Sequence, residues 1–259
     1  MDLRNAAETA IHQCMELESD ESCVVVTDDE RWDIGMAIYD VACEVTDDAV
    51  ITRMQPTARD AAEPPAPVAA AMKAADVVLA PTTRSLTHTK ARIASTDNGG
   101  RVATLPGVTE EIFVNGLDAD YAAIKDECDR LVDQVIDADE VRVTTEKGTD
   151  ITIEPGDRKW LKDMGLARRP GYLSNLPAGE VFVAPVNANG TYVVDGSMKP
   201  HGLLEGDHTI EIEVEDGYAT SISDETVREE VEAAADADLD DERRGRQRLD
   251  DRVRQHGEP

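Results

Sequence analysis

Cys23-Val24-Val25-Val26-Thr27 is an unbroken apolar run, largely β-branched. A strand that is apolar at every position buries both of its faces, as a central parallel strand does beneath two layers of helices. The flanking sequence supplies such helices. Leu3 to Leu17 repeats apolar residues at helical spacing (Ala6, Ala7, Ala10, Ile11, Met15), and Trp32 to Glu44 reads as a second helix. A strand near Ala49 to Arg53 follows. After the Pro-rich Glu63-Pro64-Pro65-Ala66-Pro67 come a helix over Val68 to Ala75, a strand over Asp76 to Ala80, a helix from Thr87 to Ser95 and a strand at Arg101 to Leu105. Strands alternating with helices predict right-handed crossovers and a doubly wound α/β domain over residues 1–137, closed by a helix over Ala119 to Ile136.

Beyond residue 138 the rhythm changes. Val141 to Thr145 and Thr149 to Ile153 flank Glu146-Lys147-Gly148, a hairpin signal with glycine in the turn. Val181 to Ala184, Thr191 to Val194, Thr209 to Val214 and Tyr218 to Ile222 read as further strands, so residues 138–224 are expected to form a β-rich (α+β) domain. A helix can start near Glu225. The rest of 225–259 is charged and poor in large apolar residues, and a frayed or disordered tail is expected past Asp236.

The 259 residues carry 26 Lys plus Arg against 55 Asp plus Glu, a formal charge of −29. A binder of nucleic acid or anionic lipid needs a basic footprint, so neither is expected as a partner. No stretch approaches the length of a membrane helix, and the N-terminus lacks a secretory signal, which together predict a cytoplasmic protein. Seven Lys beside 19 Arg, and 31 Asp beside 24 Glu, describe a surface suited to concentrated salt. The four cysteines (Cys14, Cys23, Cys43, Cys128) have no CxxC or zinc-ribbon spacing and are expected to be reduced small side chains.

Phosphate-loop, GxGxxG, HExxH and GxSxG signatures are absent, so the α/β rhythm assigns no nucleotide. Two segments stand out. Pro81 to Arg92 (PTTRSLTHTKAR) follows the third strand, at the sheet edge where open α/β folds bind ligands. It reads either as a helix start capped by Ser85 or Thr87 with His88 in solvent, or as a ligand cleft near His88 and Arg92. In Arg169 to Pro185 (RPGYLSNLPAGEVFVAP) a turn-rich lead delivers the carboxylate of Glu180 at the start of an apolar strand, facing either solvent or a divalent cation. His201 and His208 sit in turn and strand-edge contexts, and Tyr172 and Tyr192 read as packing residues.

Asn175-Leu176-Pro177-Ala178-Gly179-Glu180-Val181-Phe182, with Ala184-Pro185, Gly190-Thr191 and Val194 to Ser197, resembles the aminopeptidase T-type metalloaminopeptidases, as do Ser85 to Arg92 and Leu105 to Val108. Dihydroxypyridine dioxygenases share this fold lineage. The resemblance spans about residues 1–224 and implies removal of N-terminal residues from peptides by two cations of zinc or cobalt type. It makes Glu180 a metal ligand and leaves the catalytic residues unassigned. The family's remaining ligands lie in motifs that read EK-x-x-GT-x-H and H-x-D. Beyond residue 224 the chain has His256 and neither motif, a composition that a shifted reading frame or an early stop would give. Weak or absent hydrolysis is therefore expected. The alternatives are a non-catalytic binding or assembly module, or a site completed by another chain in a homo-oligomer.

Overall fold

A computed structural model describes residues 2–233 and 235. The chain folds into two compact units. Residues 2–136 and 160–182 form the first, and the second takes 137–159 and the described residues from 183 onward. The Glu180 segment, expected in the second domain, therefore belongs to the first unit. The tail expected to fray past Asp236 lies outside the described residues.

The first unit opens with α1 (Leu3–Glu8), capped by Asp2, whose side chain accepts Asn5 N–H; it continues as a π-helix over Thr9–Met15. Then come β1 (Cys23–Asp28), α2 (Trp32–Val45), β2 (Ala49–Met54), α3 (Ala66–Ala74), β3 (Val77–Thr82), α4 (Lys90–Asp97), β4 (Arg101–Pro106), α5 (Glu110–Gly116) and α6 (Tyr121–Val135). The chain visits the second unit for the hairpin β5 (Val141–Thr144) and β6 (Asp150–Glu154). It returns for β7 (Leu161–Asp163), β8 (Leu173–Asn175) and β9 (Glu180–Phe182). The second unit then continues with β10 (Asn187–Val194), β11 (Ser197–Met198), β12 (Gly202–Leu203), β13 (Ile210–Glu215) and β14 (Tyr218–Ile222).

The expected α/β plus β-rich architecture is observed. In the first unit a parallel sheet has the order β2-β1-β3-β4-β8. All six residues of β1 are buried, and they alternate between two cores. Val25, with Leu79 and Ala103, faces the layer of α1, the π-helix, α2 and α5, where Ile11, Met15, Ile38 and Phe113 are buried. Val24 and Val26, with Val78 and Val102, face α3 and α4, where Val68 and Met72 are buried. This is the two-sided burial that the apolar run Cys23 to Thr27 requires. The second unit is an antiparallel sheet, β14-β13-β10-β6-β5, with a small core of Val194, Leu204, Ile210, Ile212 and Val227.

Two structural corrections bear on the site. The helix expected from Thr87 begins at Lys90, because Thr89, not Ser85 or Thr87, is the cap: its Oγ1 accepts Arg92 N–H at 3.2 Å. Glu63 adds a carboxylate to that helix end, accepting Lys90 N–H at 2.7 Å and Ala91 N–H at 3.1 Å. The second correction is β8, which had no strand expectation and extends the parallel sheet beside β4, setting Asn175 directly opposite Thr104.

One ion pair ties the base of this unit. Arg101 donates to both carboxylate oxygens of Glu21, at 2.6 and 2.7 Å, with 9% and 19% of the two side chains exposed. The guanidinium holds the Glu21 carboxyl below its ordinary value, although partial burial pushes the other way. A carboxyl depressed in the folded state stabilises above its unfolded value of about 4.3, and that contribution is lost as pH falls through the folded value. Arg101→Met is therefore expected to cost about 2 kcal/mol near pH 7, since it strands a half-buried carboxylate. The difference from wild type should shrink as pH falls below about 4.3. Denaturant titration at fixed molar KCl across that range checks both the size and the pH trend.

Candidate functional site

In open α/β folds the carboxyl ends of the strands hold the ligand, usually where the strand order reverses. Here it reverses between β1 and β3. Protein groups fill much of that point: the buried Asp28 accepts Thr83 N–H at 2.6 Å, Thr83 Oγ1–H at 3.0 Å and Glu30 N–H at 3.1 Å, and the hollow beside them, lined by Glu30, Arg31, Ile34 and Thr109, is only about 160 Å³. The open space lies further along the same edge, past β4 and β8. It is a cleft of about 810 Å³ whose lining includes Pro106 at the end of β4, Asn175 at the end of β8, and the strap Leu176 to Glu180.

Its walls come from two helices that start on capped ends. Thr109 caps α5, accepting Ile112 N–H at 3.1 Å, and presents Ile112 to the cleft. Asp120 caps α6, accepting the N–H groups of Ala122 and Ala123 at 2.9 and 3.2 Å. Tyr121, Cys128 and Val132 form the buried stripe of α6, while Ile124, Glu127 and Cys128 line the cleft. The strap is packed closely from behind: a Cβ on Gly116, the last residue of α5, would come within 2.4 Å of Pro177 Cγ.

The carboxylates and thiol at the cleft are already committed or unsuited to share a cation. Asp163 accepts Ser174 Oγ–H, and its other oxygen accepts Asn175 N–H at 3.1 Å, so it pins β8. Burial, followed by the neighbouring Asp129 charge, raises the Cys128 thiol above its ordinary value and keeps it protonated. Glu180 is exposed at the first residue of β9, where it pairs with Asp163 across the β7–β9 ladder. Among the described residues, no group of three or more His, Cys, Asp or Glu side chains is placed to hold a metal ion.

The other sequence candidates scatter. His88 is exposed, and Arg92 donates from Nε to the Thr87 carbonyl at 2.6 Å. His201 and His208 stand in the second unit with ring centroids 5.9 Å apart, and His201 Nε2 is 3.0 Å from Asp224 Oδ1. Tyr172 and Tyr192 are 38% and 46% exposed, so neither fills a core. All four cysteines are free thiols; Cys14, Cys23 and Cys128 are buried and Cys43 is exposed. In place of these, the structure brings together a polar group that sequence reading did not assemble: Ser85, Thr87, Thr104 and Asn175, at the cleft end of β4 and β8. The one local signal was Thr87 lying where a helix cap was expected.

Residues 5–240 match the family model of NicX, 2,5-dihydroxypyridine 5,6-dioxygenase. The chain belongs to this dioxygenase family. Among solved structures it is similar to 2,5-dihydroxypyridine dioxygenase from Pseudomonas putida, with a TM-score of 0.67 and 19% identity over 85% of this chain and 67% of that one. Wild-type AmpT from Thermus thermophilus is less similar, with a TM-score of 0.53 and 17% identity over 85% of this chain and 70% of that one. No curated protein matches the sequence. At these identities the two structures establish the fold alone, and the family model decides the family.

These findings overturn the aminopeptidase reading, its hydrolase chemistry and its peptide substrates, and they favour neither of its alternatives. The reason lies in where the diagnostic residues sit. Thr87, Thr89, Leu86 and Leu176 are buried, and Asn175 bonds within the sheet edge. The quoted motifs therefore specify a scaffold that both kinds of enzyme share, and say little about the reaction performed on it. Members of the dioxygenase family depend on a metal. The described residues do not fit one: of the cleft carboxylates Glu127 is paired with Arg130 and Asp163 is committed to β8, which leaves Glu180 beside a protonated thiol, and no three ligating groups converge. No helix of the described residues is long and apolar enough to cross a membrane.

Proposed function

We propose that this protein acts on a small hydroxylated nitrogen heteroaromatic ring, the substrate class of its family, and that the cleft between α5, α6 and the strap Leu176 to Glu180 is the ring's seat. The observation that carries this is the cleft's make-up. Ile112, Ile124, Pro106, Leu176 and Pro177 give apolar walls suited to a flat ring, and Asn175 supplies a fixed polar group at the strand ends. A concave, largely apolar site with few polar groups suits a small aromatic molecule better than an extended peptide, whose backbone needs a row of partners.

The metal for such chemistry differs from the zinc or cobalt type that the aminopeptidase resemblance implied. Inserting oxygen into a ring calls for a metal that changes oxidation state; zinc does not, and iron(II) on two histidines and a carboxylate is a common solution. Since the described residues do not form that set, no chemical step is assigned through it. Glu180 remains at the cleft rim as the one carboxylate here with no hydrogen-bond partner on its side chain among the described residues. Four free thiols suit a reducing compartment, and we place the protein in the cytoplasm.

Binding in molar KCl, followed by calorimetry, tests the reading. Saturable binding of 2,5-dihydroxypyridine is expected, with no binding of leucine p-nitroanilide. Ile112→Asp should weaken it at least about tenfold, by removing an apolar wall and adding a charge. Ile112 is 49% exposed, so the fold should tolerate the change. Saturable binding that Ile112→Asp leaves unaltered, or no binding at all, would reject the cleft as the site.

A further inference from the structure

Asn175 stands at the end of a series of hydroxyl hydrogen bonds. Ser85 Oγ donates to Thr87 Oγ1 at 2.9 Å, and Thr87 N–H donates back to Ser85 Oγ at 3.2 Å. Thr87 Oγ1 lies 2.8 Å from Thr104 Oγ1, and Thr104 Oγ1 donates to Asn175 Oδ1 at 2.7 Å. Thr87 Oγ1 is also 3.3 Å from that same oxygen. A hydroxyl has one proton to give. Thr87 receives one from Ser85 and passes its own toward Thr104, which passes its own to Asn175. The series ends on an amide oxygen, which accepts and has nothing to pass on.

Burial makes the arrangement stiff. Thr87 and Thr104 are 7% and 1% exposed, and the Thr87 carbonyl is held by Arg92 Nε at 2.6 Å. The Asn175 backbone N–H is committed to Asp163. With Oδ1 accepting from Thr104, the two Nδ2 protons of Asn175 are what remains. Among the described residues Nδ2 donates to no protein group, and Asn175 lines the cleft. Asn175 is half-buried, so water can reach this amide until a ligand displaces it. A ligand that returns an acceptor keeps the hydrogen bond and one that lacks it forfeits the bond, so the group discriminates between the two.

We infer that Asn175 is the specificity-determining donor of this cleft: its Nδ2 amide recognises a ring oxygen beside the heterocycle's nitrogen, and Thr87 and Thr104 fix its orientation. The inference rests on the cleft being the ring's seat. A 2-hydroxypyridine ring has a lactam form whose carbonyl oxygen is a strong acceptor, well matched to an amide N–H. A 3-hydroxypyridine has no oxygen at that position.

The two ligands therefore make the test, with calorimetry in molar KCl on the full chain. Wild type should bind 2,5-dihydroxypyridine about 10- to 100-fold more tightly than 3-hydroxypyridine. Asn175→Asp keeps an oxygen for Thr104 and replaces the donor with a second oxygen. It should bring that ratio to about one, chiefly by weakening the first ligand, with a melting temperature near that of wild type. Equal binding of both ligands by wild type, or a folded Asn175→Asp protein that keeps the wild-type ratio, would overturn the inference and leave the cleft reading standing. Binding of neither ligand would overturn both. Should Asn175→Asp fail to fold, the Asn175 side-chain amide signals of 15N-labelled wild type decide the matter. A shift on adding 2,5-dihydroxypyridine but not 3-hydroxypyridine supports the inference, and its absence overturns it.

Discussion

Moving this protein from molar KCl into dilute buffer at neutral pH is expected to lower its melting temperature by roughly 10–20 °C, equivalent to about 5 kcal/mol for a chain of this size. The cause is the surplus of 29 negative charges over 259 residues. Two like charges 10 Å apart repel by about 0.4 kcal/mol in water, and folding brings many such pairs to that range. At about 0.01 M salt the screening length is about 30 Å, so repulsion sums over much of the molecule; at about 1 M it is about 3 Å and only contacts count. The ion pairs respond the other way, because salt weakens them, but Arg4–Glu44, Arg53–Asp29 and Arg142–Asp150 are exposed pairs of small individual worth. Repulsion wins by number. In dilute buffer, partial protonation near pH 5 should raise the melting temperature relative to pH 7, and in molar KCl this gain should nearly vanish. Scanning calorimetry over the four conditions checks both signs; a melting temperature indifferent to KCl would refute the argument.

Gly165→Ala is expected to destabilise the first unit by about 3 kcal/mol or more, the sum of two separate penalties. Gly165 has φ +71°, a left-handed conformation that costs a residue with a Cβ about 1 kcal/mol. The added Cβ would also stand 2.2 Å from Tyr121 Cε1 and 3.1 Å from Leu176 Cδ2. Tyr121 is fully buried at the start of α6 and donates its hydroxyl to the Gly116 carbonyl at 3.2 Å, so the ring has little freedom to yield. Gly99→Ala separates the two terms: Gly99 has φ +94° with nothing within 4 Å of its would-be Cβ. It should lose only the backbone share. Equal denaturation midpoints for the two variants would show that the Tyr121 contact yields freely. Tyr121 supports the α6 wall and Leu176 lines the cleft, so ligand binding should weaken in Gly165→Ala and persist in Gly99→Ala.

What the sequence disclosed was what local pattern controls. The all-apolar β1, the helical spacing of α2 and α6, and the Gly148 hairpin are each specified within a few neighbouring residues. What it withheld depends on distant pairing. β8 is three residues long, includes Ser174 and Asn175, and exists as a strand because β4 lies beside it, some 70 positions earlier. α5 is seven residues with one buried side chain, Phe113, though Thr109-Glu110-Glu111 is a helix-start signal that could have found it. A hydroxyl before a helical stretch usually caps it, which is what the position of Thr87 predicts, whereas its side-chain partners are Ser85, Thr104 and Asn175. Glu180 is a carboxylate at a strand start, but a ligand set is a property of side chains converging in space. The described residues show no such convergence.

The chain's double passage through the first unit sets a limit on how this protein can be divided, by an experimenter or by recombination. Because β8 and the strap return only after the β5–β6 excursion, a fragment ending at 137 would lose the outermost strand and one whole side of the cleft. It would also leave β4 as a bare, apolar sheet margin open to pairing with other chains. Inheritance of the cleft therefore requires both passages, residues 1–136 and 160–182, to be kept together.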